Sequence, residues 1–333
     1  MKRNFLGLFL IVSIAPAAMS MTCDEFNAKL KTTYGFEPSK LEEAALPVKT
    51  AEMDVIWHAV HEDATLVPCL KAALSTTSDN WFFFDGTQLL MAVDPSKESK
   101  ETLVRALGRV SLDDVDLRTW IELASKLGLE GFDTASLGKR WFNHPRAEYY
   151  LPEHGAFRVD RGTGAMFVFG SMEEKFATPA IVELTREGKG QAKDVALMLL
   201  LFQATPEALA ALTTINTAGL SADVLANLNA VLNKRGLIEP RENPKTTRAE
   251  FVKAFTALLA DDEQPFDELI IAVPDGEHDL VAVSTAEDVE LLRSVRRHYA
   301  AKGSPEAMEF YKQFTQILMT LVVKEPGAKP NVN

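Results

Sequence analysis

"GAMFVFGSMEEKFATPAIVELTREG", residues 164–188, set above "VALMLLLFQATPEALAALTTINTAG", residues 195–219, superposes at an offset of 31 residues. Each copy runs apolar helix, short polar turn, second apolar helix, glycine. Met166 falls over Leu197, Phe169 over Leu200, Leu184 over Ile215 and Gly188 over Gly219. A third, weaker copy starts at "SADVLANLNAVLNKRG", residues 221–236, where only the first helix is clear. Repetition with a period between about 20 and 50 residues is the signature of a helical solenoid. In such a stack a helix held between two neighbours is apolar nearly all round. The run "VALMLLLFQA", residues 195–204, is then an inner helix, being far shorter than the roughly 20 residues that span a bilayer.

The stretch "ATPAIVELTREGKGQAKDVALMLLLFQATPEALAAL", residues 177–212, resembles HEAT-type repeats. In these a Pro-started helix ending near a Gly turn precedes a second helix introduced by an Asp-Val pair, here Asp194-Val195. The resemblance covers roughly residues 157–236, and the arginine that often follows the Asp-Val pair is absent. It implies an α-solenoid whose usual work is to bind other proteins, and it implies no catalytic residue.

Helical patterns extend on both sides. "TTRAEFVKAFTALLAD", residues 246–261, opens with Thr247 and Glu250 in capping-box spacing and repeats Phe251, Phe255, Leu258 and Leu259 along one face. In "SPEAMEFYKQFTQILMTLVV", residues 304–323, Ser304 caps, Pro305 suits the first helical position, and Met308, Tyr311, Phe314, Leu318 and Leu321 form an apolar stripe. Two stretches read differently. "WFFFDGTQLLMAV" places Asp85-Gly86 between apolar arms, and "ELIIAVPDGEHDLVAVS" has a longer turn around Asp275-Gly276; both fit β-hairpins.

The fold expected is therefore mainly α, a HEAT-like helical-repeat solenoid with small β-hairpin inserts in the flanking segments. A helical region at 21–155 carries a hairpin near 81–93, the repeats occupy 156–240, and a second helical region at 241–323 carries a hairpin near 269–283. The tail at 324–333 is expected to be disordered.

Residues 1–20, "MKRNFLGLFLIVSIAPAAMS", put Lys2 and Arg3 before an apolar run and small residues, the order of a cleavable signal peptide. Export to the periplasm or beyond a bacterial cell is expected, with no integral membrane span after cleavage. Losing Lys2 and Arg3 takes the formal net charge from -12 to -14. With no Lys/Arg cluster, nucleic acid and anionic membranes are poor partners for such a chain. The only two cysteines, Cys23 and Cys69, read as a disulfide in an oxidising compartment.

Several motifs touch on chemistry. His58 and His61 share a helix face and offer two ligands to a metal, but "WHAVHED" is neither HExxH nor HxxEH. A third ligand would have to come from His144, His154, His278 or His298. "SLGK", residues 136–139, matches SxxK and "SDN", residues 78–80, matches the companion motif of penicillin-binding proteins, but in the wrong order and without a KTG. "RGTG", residues 161–164, reads as a turn. The segment 140–162 mixes Arg140, Trp141, Arg146, Tyr149 and Tyr150, a composition enriched where proteins meet; the competing reading is an irregular cap over the first repeat. No cofactor and no metal is expected. The function expected is an exported, non-catalytic protein-binding scaffold or adaptor of the bacterial envelope. The alternatives are an envelope enzyme, metal-dependent at His58 and His61 or a hydrolase, and a small-ligand binding protein.

Overall fold

A computed structural model of the chain describes residues 21–34, 46–218, 220–232, 238–260 and 276–324. Among these the fold is mainly α, with sixteen helices and one two-stranded antiparallel sheet. No helix among the described residues is long and apolar enough to cross a membrane. The leader expected at 1–20 and the tail expected beyond Val323 lie outside them, apart from Lys324. The chain divides into two compact units, residues 1–99 and 100–333.

The first unit contains α1 (Cys23–Thr33), α2 (Leu46–Glu62), α3 (Leu66–Thr76), α4 (Asn80–Val93) and the start of α5 (Lys97–Arg109). Helix α1 begins at a capping box: Thr22 Oγ1 accepts from the Glu25 N–H at 3.3 Å and Glu25 Oε2 accepts from the Thr22 N–H at 2.9 Å. Its apolar residues Phe26 and Leu30 are fully buried, and it packs on α2 and α3. Cys23 and Cys69 are joined across α1 and α3 with their Cα atoms 5.5 Å apart, within the usual disulfide range.

The hairpin expected near 81–93 is instead helix α4. Asp79, inside the "SDN" triplet, is its N-cap and accepts from the Trp81 and Phe82 N–H groups at 2.9 and 3.0 Å. Four consecutive apolar residues, Trp81 to Phe84, are all buried; a half-exposed strand would have turned alternate ones outward. Asp85-Gly86 is no turn, because Gly86 is where α3 crosses. A Cβ there would sit 2.7 Å from Leu74 Cδ2.

The second unit continues with α6 (Leu117–Leu129), α7 (Ala135–Asn143), β1 (Tyr149–Leu151), β2 (Phe157–Val159), α8 (Arg161–Ser171) and α9 (Glu174–Glu187). It then runs through α10 (Gln191–Gln203), α11 (Pro206–Thr214), α12 (Ala222–Leu232), α13 (Arg248–Ala260), α14 (Gly276–Val283), α15 (Val289–Lys302) and α16 (Pro305–Lys324). The two sequence copies coincide with the pairs α8–α9 and α10–α11, which pack against each other. One repeat further on, Asp194 Oδ1 accepts from the Ser221 N–H at 3.4 Å, just before α12. This is compatible with a helical repeat. Helix α8 is also covered by α15, however, a long-range contact that a stack of nearest neighbours alone does not make.

Helix α8 is the centre of this unit and meets α6, α7, α10 and α15. Ala165, Phe167, Val168 and Phe169 are at most 1% exposed, and beyond its first turn only Met166 is partly exposed. Two glycines let neighbours reach its backbone. A Cβ at Gly164 would meet the Trp141 indole at 2.4 Å, and one at Gly170 would meet the Tyr311 ring at 2.7 Å.

Helix α15 is locked down by charge. Arg296, 1% exposed, donates to the Phe202 and Gln203 carbonyls at 2.5 and 3.2 Å and pairs with Glu174 Oε1 at 2.7 Å. Arg297 takes the other oxygen of Glu174 at 2.9 Å. The cation thus satisfies the last carbonyls of α10 while its partner carboxylate sits in the first turn of α9, both favoured by the helix dipoles.

The stretch expected as a second hairpin, 269–283, is helical over its described part. Residues 261–275 lie outside the described residues, while 276–283 form α14, whose buried Asp279 accepts from the Lys245 N–H at 2.9 Å. The terminal helices follow their sequence signals. Thr247 and Glu250 exchange the two capping bonds at 2.8 and 3.3 Å, and Ser304 Oγ accepts from the Ala307 N–H at 3.2 Å. Of the stripe on α13, Phe251, Phe255 and Leu258 are buried and Leu259 is 38% exposed.

Two predictions follow from this packing. Reducing the disulfide should lower thermal stability by up to about 4 kcal/mol, the entropy of the 46-residue loop. Melting curves with and without reductant check it, and no shift would count against a stabilising bond. Gly164→Val should destabilise by about 3 kcal/mol, because the fully buried Trp141 has nowhere to move. Denaturant unfolding measures it.

Candidate functional site

Segment 140–162 leaves α7, forms the two-stranded sheet and enters α8. The strands pair Tyr149 with Val159, Tyr150 with Arg158 and Leu151 with Phe157, joined through Gly155 and Ala156, both at positive φ. So the segment carries a real hairpin, which the sequence reading placed elsewhere.

Of the five residues expected to meet a partner, two are committed to the interior. Trp141 is 0% exposed, stacks on Trp120 at 6.2 Å and donates from Nε1 to the Arg161 carbonyl at 3.2 Å. Arg140 donates to the Leu107 carbonyl at 2.7 Å and also to that of Val110, closing the C-terminal end of α5. Burial lowers the pKa of its guanidinium. Tyr149 is half-buried, with its ring edge-on to Trp141 at 6.2 Å; burial, and then Glu122, raise its phenol well above the ordinary value. Arg146 is exposed, and Tyr150 is 53% exposed. Those two are available to another molecule.

Arg146 opens onto a concave site of about 250 Å³ between the turn after α7, the end of β2 and the starts of α8 and α10. Its two carboxylates are already engaged. Glu148 Oε2 holds Arg158 at 2.5 and 3.1 Å, and Asp160 Oδ1 caps α8 by accepting from the Thr163 N–H at 2.9 Å. Among the described residues, the guanidinium groups of Arg146 and Arg161 have no hydrogen-bond or carboxylate partner; Arg161 lies over the Phe142 ring at 6.0 Å. Helix α10 starts after Gly190 (φ 54°) with no side chain capping it, and its first residues, Gln191 and Ala192, line the same site. The lining holds no serine, threonine, cysteine or lysine. What it offers is unspent positive charge.

The "RGTG" stretch, expected as a turn, is the first turn of α8 instead. The signal that could have placed it is Asp160, a carboxylate three residues before Thr163 at a helix start. Arg161 enters the site through that helix, and the α10 residues come from the following helix pair, so no local motif brings the three together.

A larger cleft of about 430 Å³ lies between α9, α11 and α15. Its cations are spent: Arg297 on Glu174, Arg293 on Glu290 at 2.5 Å, Lys175 on Glu173 at 2.6 Å. His58 and His61 lie exposed on α2, where the His61 ring stacks on Trp57 at 3.6 Å. Among the described residues no three His, Cys, Asp or Glu side chains gather to hold a metal ion. Within "SLGK", Ser136 is exposed and Lys139 pairs with Glu183 at 2.7 Å, so the pair serves α7–α9 packing.

No family model, curated protein or solved structure matches the chain.

The residues of the segment should separate experimentally into two kinds. Arg140→Met leaves the Val110 carbonyl just after α5 without its donor, while Leu107 keeps the bond from Trp120 Nε1, and should cost about 2 kcal/mol of stability, whereas Arg146→Ala should stay within about 0.5 kcal/mol. Urea unfolding of both variants decides it; equal effects would mean that the division between structural and available residues is wrong.

Proposed function

We propose that the protein is an exported, non-catalytic adaptor of the bacterial envelope, a HEAT-like helical array that binds another protein through the segment at 140–162. One observation carries this: the segment delivers a concave site in which two of the three arginines, Arg146 and Arg161, make no ion pair among the described residues, beside a half-exposed Tyr150. Unpaired arginine next to exposed tyrosine is the composition of interface hot spots. The leader at 1–20 supports export, and the Cys23–Cys69 pair fits an oxidising compartment.

The small-ligand alternative draws on the 430 Å³ cleft, whose size falls in the range of metabolite pockets. Its internally neutralised charges make it the weaker of the two.

In-cell crosslinking of the tagged protein, followed by affinity purification and mass spectrometry against an unrelated exported control, tests the adaptor reading. One specific envelope protein should be enriched and should bind the purified chain directly. No enrichment over control would remove the reading, and a ligand-dependent rise in melting temperature across a metabolite panel would replace it.

A further inference from the structure

The geometry points to an acidic peptide segment, presenting Asp or Glu carboxylates, as what the site between α7, α8 and α10 takes. This rests on the protein-binding reading above and adds the chemistry of the partner.

The charge balance comes first. Glu148 is paired with Arg158, and Asp160 accepts from the Thr163 N–H at the start of α8. Among the described residues Arg146 and Arg161 make no ion pair, and the three arginines of the lining exceed its two carboxylates by one positive charge, on a chain whose formal net charge is -12. An acidic protein gains no general solubility from placing two unpaired arginines in one concavity. Arginine forks bind carboxylates with two parallel hydrogen bonds.

The uncapped start of α10 adds to this. Its first N–H groups have no side-chain acceptor, and the helix dipole favours negative charge there. A carboxylate oxygen placed in the site would satisfy those donors and an arginine together.

Size and surroundings select a peptide over a larger ligand. A volume of about 250 Å³ is below the roughly 300–1,000 Å³ of small-molecule pockets and suits one or two acidic side chains. The binding surface continues outside it. Tyr150 stands directly opposite Arg158 in the hairpin, so the two share one face of the sheet, and Arg158 lines the site. A chain leaving the pocket along that face would meet a half-exposed aromatic ring.

The test is fluorescence anisotropy of the full chain with labelled hexaglutamate, with hexalysine and inorganic phosphate as comparison probes. Hexaglutamate should bind, weaken with added salt, and lose at least about tenfold in affinity in Arg146→Ala/Arg161→Ala, the loss of one charge-assisted bond or more. The double variant should melt as the parent does. Arg186→Ala, whose residue does not line the site, should bind normally. Absence of hexaglutamate binding, or equal binding by the double variant, overturns the inference. Phosphate binding with the same arginine dependence but no peptide binding also overturns it, marking a free-anion site. If the envelope partner is captured equally by the double variant, the adaptor reading stands and this inference fails.

Discussion

The near-complete burial of α8 beyond its first turn is the constraint on which the larger unit depends. A helix with Ala165, Phe167, Val168 and Phe169 inside needs neighbours on most sides, and α6, α7, α10 and α15 supply them. Side chains of ordinary size would hold those neighbours about 8–10 Å off. Glycine at 164 and 170 removes that spacing and lets Trp141 and Tyr311 lie against the backbone. Arg296 then closes the arrangement by tying α15 to the end of α10 and the start of α9. A buried guanidinium is costly unless its donors find oxygens; the two terminal nitrogens of Arg296 do so while its Nε has no partner among the described residues, which makes the tie specific in position.

The candidate site is a by-product of that packing. Because Trp141 must reach Gly164, the chain between α7 and α8 has to leave the core and return within about twenty residues, and it does so as a hairpin. The detour exposes Arg146 and Tyr150 while Trp141 stays inside and Arg140 is half-buried against the end of α5. The repeat then brings the start of α10 beside the start of α8, since Val195 packs against Gly162. Scaffold and site are therefore one construction, with the inward residues of the segment holding the outward ones in place.

The parts legible in the sequence were those governed by local physics. Capping at Thr247 and Ser304, proline at the first position of α16 and the apolar stripe of α16 each involve residues within a few positions of one another. The Asp85-Gly86 pair shows where local reasoning fails. A two-residue turn and a glycine notch under a crossing helix carry the same letters, and only the presence of Leu74 at 2.7 Å from the missing Cβ distinguishes them. Tyr150 and Trp141 make the same point: composition marked both as interface residues, and burial separated them.

By itself, then, the sequence determined the helical class, the 31-residue echo between two helix pairs, the caps and the pairing of its only two cysteines. These rest on periodicity and on short-range hydrogen bonds, which the chain specifies wherever it lies. Only the tertiary structure decided which aromatic residues are walls and which are surface, and which carboxylates are already spent. It also brought Arg146, Arg161 and the start of α10 around one concavity. Those outcomes depend on contacts between residues far apart in the chain, whose geometry is set by the burial of α8 and by no pattern near the residues themselves.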